Sequence, residues 1–268
     1  MQLHTLYYDK LPADPRGVDV ALPSAVRSDT ALFYVHGGGW YSSSRDIYRK
    51  HLNRFAGLGY VCASAGYRTD KATRLAEKMD DVVTGYARFD AYLREHYPEV
   101  SRIVVTGSSA GAHLVSLLSL TDPSVWTSDE RIAADWRKPS GCISVNGPGT
   151  LVGWPDMHPD IRASMERLVG ASYDDASSEE AFRRASPDLY VSPGAPDFLF
   201  LIVGKEQFFP HRYVYEMCDK LRAAGATSDV VLYPEAAHGF FYDVVNALQK
   251  QALDEMDRFL ARIENKIG

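Results

Sequence analysis

The sequence predicts an α/β fold built on a mainly parallel sheet. Short apolar, β-branched runs recur along the chain, and segments of helical period separate them. Several of the runs are continuously apolar rather than alternating, as expected for strands covered on both faces. In chain order, strands are expected at 18–23, 30–37, 60–67, 101–107, 141–147, 197–204 and 228–234, with Pro and Gly residues bounding the first two. Helices are expected over 46–58, 71–97, 110–120, 211–224 and 243–265. The first closes on Gly59, the third is almost wholly apolar and so buried, the fourth ends at Gly225, and the last is amphipathic.

Residues 148–196 break this rhythm. They hold Gly149, Gly153, Pro155, Pro159, Pro187, Pro193, Gly194 and Pro196, with one short helix near 161–169. Segments of this length tend to be lids or binding walls. Trp154, Met157, His158 and Tyr190 either line a pocket or anchor the segment. The 268 residues are expected to form one domain carrying this insertion.

The formal charge of −6 gives no support to a nucleic-acid grip, which depends on clustered Lys and Arg. The N-terminal residues lack the basic and apolar regions of a signal peptide, and no apolar run approaches the length of a membrane span. Cys62, Cys142 and Cys218 are widely spaced, with no CxxC pair, so they read as small hydrophobes rather than a zinc or redox motif. These features lead to the expectation of a cytoplasmic location.

Ligands of parallel sheets sit beyond the carboxyl ends of the strands. There the segment 103–113 runs from an apolar strand through Gly107-Ser108-Ser109-Ala110-Gly111 into an apolar helix. A sharp strand-to-helix turn crowds the backbone on either side of its apex, which calls for the flanking glycines. It lifts the Ser109 hydroxyl above the sheet at a helix N-terminus, where developing negative charge is favoured. Ser109 is the expected nucleophile; Ser108 falls at the wrong place in the motif.

About seventy residues earlier, a strand ends in His36-Gly37-Gly38-Gly39-Trp40. Three glycines let the backbone approach a ligand closely, and each N–H donor aimed at a developing oxyanion contributes roughly 3–4 kcal/mol. The N–H groups of Gly38, Gly39 and Ala110 are the expected oxyanion donors. The spacings of dinucleotide- and nucleotide-phosphate loops are absent. His36 is expected to hold the loop, and Trp40 and Tyr41 are either pocket wall or core.

A serine hydroxyl needs a neighbouring base. Of eight histidines, His238 follows the last strand and precedes Gly239, which permits a tight turn. His113 lies on the helix after Ser109, facing the interior. The acid is expected after strand 197–204. Counting forward from Gly204 it falls on the uncharged Gln207; counting back from Pro210 it falls on Glu206, whose extra methylene relative to Asp can recover the displaced position. Glu206 is the candidate, the alternative being a solvated carboxylate.

Taken together, HGGGW at 36–40, GSSAG at 107–111 and HGF at 238–240 resemble the α/β-hydrolase superfamily across nearly the whole chain. Within it the chain is similar to small esterases of the acetyl-xylan and feruloyl esterase type and to kynurenine formamidases. The departure from all of these is Gln207 where an Asp normally stands. The resemblance implies an eight-stranded sheet and a Ser109–His238–Glu206 triad cleaving short acyl or aryl esters through an acyl-enzyme, with neither a metal nor an organic cofactor required. Trp40, Trp154 and Met157 are the candidate pocket residues. Arylformamide hydrolysis is the alternative reaction, and a catalytically silent binder on the same fold the alternative class.

Overall fold

The computed structural model describes residues 2–8 and 16–266. The elements run β1 (Gln2–Tyr7), β2 (Gly17–Leu22), β3 (Thr30–Val35), α1 (Arg49–Leu58), β4 (Cys62–Ala65), α2 (Leu75–His96), β5 (Arg102–Ser108) and α3 (Ala110–Leu120). They continue with α4 (Glu130–Ala134), β6 (Gly141–Val145), α5 (Pro159–Val169), α6 (Glu179–Arg184), β7 (Asp197–Lys205), α7 (His211–Ala223), β8 (Ser228–Ala237) and α8 (Ala247–Glu264).

The strands form one eight-stranded sheet in the order β1-β2-β4-β3-β5-β6-β7-β8. β2 is antiparallel to both of its neighbours, and all the other pairings are parallel. The seven strands expected from sequence are all present. The eighth, β1, carries little sequence signal because QLHTLY alternates weakly; residues 3–6 are half-buried at the sheet edge.

Side-chain alternation along the central strands explains the two-sided core. Phe33, Val35, Ile103, Val105, Phe198 and Phe200 point to one face, where α2, α3 and α7 cover them with Met79, Val82, Leu114, Met217 and Leu221. Leu32, Tyr34, Val104, Ile143, Leu199 and Leu201 point to the other, under Leu52 and Phe55 of α1 and Leu253, Met256 and Phe259 of α8. This is the α/β-hydrolase fold.

Several helices begin later than the sequence period suggested. Asp70 accepts the N–H groups of Ala72 and Thr73 in a turn that delays α2 to Leu75. Asn246 and Gln249 form a reciprocal cap that starts α8 at Ala247. Within 148–196 there are two helices, α5 and α6, rather than one. α5 inserts Ile161, Met165 and Leu168 into the first face of the core, so the segment is anchored beside the carboxyl ends of the strands. No helix among the described residues is long and apolar enough to cross a membrane. All three cysteines are buried and unpaired.

Candidate active site

β5 and α3 meet at Ser109, which adopts φ 57°, ψ −121°, a conformation that costs a residue with a side chain about 1–3 kcal/mol. Surrounding contacts hold it there. The Ser109 N–H donates to the Val145 carbonyl at 2.8 Å, and the His113 N–H closes the first helical turn onto the Ser109 carbonyl. The flanking glycines are sterically required: a Cβ on Gly111 would lie 2.1 Å from the Val35 carbonyl oxygen, and one on Gly107 would lie 2.5 Å from Gly111 backbone.

Ser109 Oγ lies 2.8 Å from His238 Nε2. The opposite ring nitrogen, Nδ1, lies 2.9 Å from Glu206 Oε2 and 3.1 Å from Oε1. With Nδ1–H donating to the carboxylate, Nε2 is left as the acceptor for the serine proton. Glu206 is almost fully buried, and its Oε1 also accepts the N–H groups of Gln207 and Phe208. Burial opposes its ionisation, but the bond and charge of His238 and the two backbone donors outweigh burial and hold the carboxyl below its usual range. A bulge between Val203 and Lys205 lets the backbone at Gly204 pass against Pro234, which aims Glu206 across to the turn after β8. Gln207 is exposed and contributes only its backbone N–H.

The glycine loop lies on the other side of Ser109. The Gly37 carbonyl faces His36 Nδ1 and accepts from the Tyr67 hydroxyl, and the Gly38 carbonyl accepts from Tyr41 N–H, Ser42 N–H and Ser42 Oγ. In a planar trans peptide the next residue's N–H points opposite to that carbonyl. Anchoring these two carbonyls therefore fixes the direction of the Gly38 and Gly39 N–H groups. Ala110 opens α3, where a first-turn N–H has no acceptor within the helix. A cavity of about 540 Å³ is lined by Gly38, Gly39 and Ser109 with Ile161, Ser164, Phe208, His238 and Tyr242, and it includes Asp160 and Gly239.

The sequence-based pocket residues lie elsewhere. Trp40 does not line this cavity: positive φ angles at Gly38, Gly39 and Trp40 roll its indole inward until it is fully buried. Its Nε1–H donates to His113 Nδ1, and His113 Nε2 in turn bonds the Ala185 carbonyl, so both residues are core. Tyr41 sits between Lys78 Nζ at 4.4 Å and the Arg167 guanidinium at 5.2 Å. Trp154 and Met157 line an adjacent cavity with Tyr173 and Phe182. Tyr190 anchors its own loop on the Arg184 carbonyl. His36 stacks on Tyr67, and burial pushes its pKa down to about 4.

The lining residues Ile161, Ser164, Phe208 and Tyr242 were missed from sequence. Phe208 and Tyr242 stand two and four residues beyond Glu206 and His238, a proximity that could have pointed to them. Nothing in the sequence marks which face of α5 meets the site. Among the described residues no group of three His, Cys, Asp or Glu is arranged to hold a metal ion.

Comparison with known proteins agrees with this architecture. Esterase LipC of Mycobacterium tuberculosis is 32% identical over 218 residues, covering 78% of this chain and 52% of that protein. The kynurenine formamidase of Danio rerio is 32% identical over 183 residues, covering 67% and 54%. The chain spans about half the length of the curated relatives it matches. Among solved structures, butyrate-bound esterase 2 of Thermogutta terrifontis superposes with a TM-score of 0.77 at 22% identity, over 99% of this chain and 96% of that one. Residues 18–221 match the BD-FAE family, and with the α/β-hydrolase fold in place the chain belongs to that family.

Proposed function

We propose that this chain is a serine hydrolase of carboxylic esters with short acyl or aryl groups. The observation that carries this reading is the continuous relay Ser109–His238–Glu206, with contacts of 2.8 and 2.9 Å. In this reading His238 Nε2 takes the serine proton as Oγ attacks the ester carbonyl. Glu206 holds the ring in the required tautomer and stabilises the imidazolium. The Gly38, Gly39 and Ala110 N–H groups receive the oxyanion. His238 then protonates the departing alcohol, takes a proton from the water that attacks the acyl carbon, and returns it to Ser109 Oγ as the carboxylic acid leaves. The mostly apolar cavity suits a small acyl or aryl group, and α5, as part of its wall, gives the insertion a binding role within one domain. The unpaired cysteines support a reducing compartment such as the cytoplasm.

Arylformamide hydrolysis is the second reading, supported by the similarity to kynurenine formamidase. Two measurements test the proposal. A fluorophosphonate probe is expected to label the protein and to fail on Ser109→Ala; absence of wild-type labelling would indicate a silent binder. p-Nitrophenyl butyrate is expected to be turned over at least as well as N-formylkynurenine, and a preference of several orders of magnitude for the formamide would replace the ester reading.

A further inference from the structure

We propose that Asp160 makes the Ser109 cavity selective by charge, favouring esters that carry a cationic group and rejecting anionic ones. The inference rests on the hydrolase reading and names the substrate class for that same cavity. Asp160, in the first turn of α5, lines the cavity that contains Ser109 and His238. Among the described residues no Lys or Arg lines it. Glu206, the other carboxylate near the reacting atoms, is bonded to His238 and to two backbone N–H groups.

Among the described residues the Asp160 carboxylate has no such partner. Its side chain is 92% exposed, and the nearest basic group, His158 Nδ1, lies 3.9 Å away. That nitrogen already accepts the Asp160 backbone N–H at 3.3 Å, so in this geometry it offers the carboxylate no proton. Three basic side chains, one on α5 and two on other elements, are themselves held by carboxylates, while Arg167 of α5 packs over Tyr41. Arg162 pairs with Asp174 and Glu166, Lys205 with Glu235, and Lys50 with Asp243. A substrate in this cavity therefore meets the Asp160 carboxylate, offset in part by the N-terminus of α5 but paired with no Lys or Arg among the described residues, beside the aromatic side chains of Phe208 and Tyr242, and both kinds of group attract a cation.

The test uses three butyryl thioesters of similar size: butyrylthiocholine, its neutral tert-butyl isostere and S-butyryl mercaptopropionate, each followed by thiol release. At low salt the expected kcat/KM order is cationic, neutral, anionic, with steps of about fivefold, small because an exposed charge is well screened. In about 1 M salt, where the Debye length is about 3 Å, the spread should collapse. Asp160→Asn should erase the order and Asp160→Lys should reverse it. Equal rates for all three esters on the wild type at low salt, an order indifferent to salt, or an order unmoved by Asp160→Asn would each overturn the proposal. If even the neutral thioester and p-nitrophenyl butyrate are not hydrolysed, the hydrolase reading fails. The charge order is then decided separately, by calorimetric affinity of Ser109→Ala protein for the three ketone analogues in which CH2 replaces sulfur.

Discussion

Glu206 and Gln207 are adjacent, yet only the first enters the site. A bulge removes the one-to-one count between strand length and direction, so spacing from Gly204 pointed to Gln207 while spacing from Pro210 pointed to Glu206. In the structure the Glu206 carboxylate points inward to His238 and the Gln207 amide is exposed. Glu206→Gln should lower kcat by roughly 10²–10⁴, because a neutral partner neither stabilises the imidazolium nor enforces the tautomer. Gln207→Ala should leave kcat/KM within about twofold, as for other exposed side chains. Steady-state kinetics on p-nitrophenyl butyrate separate the two. Trp40 shows a different kind of ambiguity. An aromatic after a glycine run fits a pocket wall or a core equally well, and only the backbone path through three positive φ angles decides between them.

The glycine loop and the β5–α3 elbow are the elements on which turnover depends in this reading. Both were legible, because a glycine run after a strand and Gly-x-Ser-x-Gly between strand and helix each reflect local backbone geometry. What the sequence could not show is how the loop is held from outside. Tyr67 donates to the His36 and Gly37 carbonyls from beyond β4, at 3.1 and 3.2 Å. Tyr67→Phe should free the peptide that orients the Gly38 N–H, lowering kcat about tenfold with little change in KM. A rise in KM with kcat unchanged, or no change in either, would contradict that role. Gly111→Ala should cost about 3 kcal/mol or more of stability, read as a lower urea midpoint, since its Cβ cannot avoid the Val35 carbonyl.

At the scale of the whole molecule, the parallel sheet and its two covered faces were evident from apolar periodicity, whereas β1 and the second helix of 148–196 depend on packing that no local pattern records. Three histidines sealed inside this core make its stability depend on pH. Burial pushes His36 and His113 down to about 4 and His51 to about 3, so all three stay neutral in the folded state. In the unfolded chain they titrate near 6.5. Their contribution is complete above that value and is lost as pH falls toward 4, because only the unfolded state takes up protons in that window. Each adds a slope of up to about 1.4 kcal/mol per pH unit. Urea midpoints should therefore drop steeply between pH 6.5 and 4.5. His51→Phe, placing an apolar ring among Tyr34, Tyr48 and Phe241, should flatten that drop.

His238 stands 129 residues beyond Ser109 and 32 beyond Glu206. During synthesis the glycine loop and the serine elbow therefore emerge, and their strands can pair, well before either β7 or β8 has been made. In the proposed mechanism, a nascent chain lacking those last two strands would carry a serine with no base beside it, so hydrolysis would be withheld from partly folded chains and the onset of activity would report that the final strand has docked.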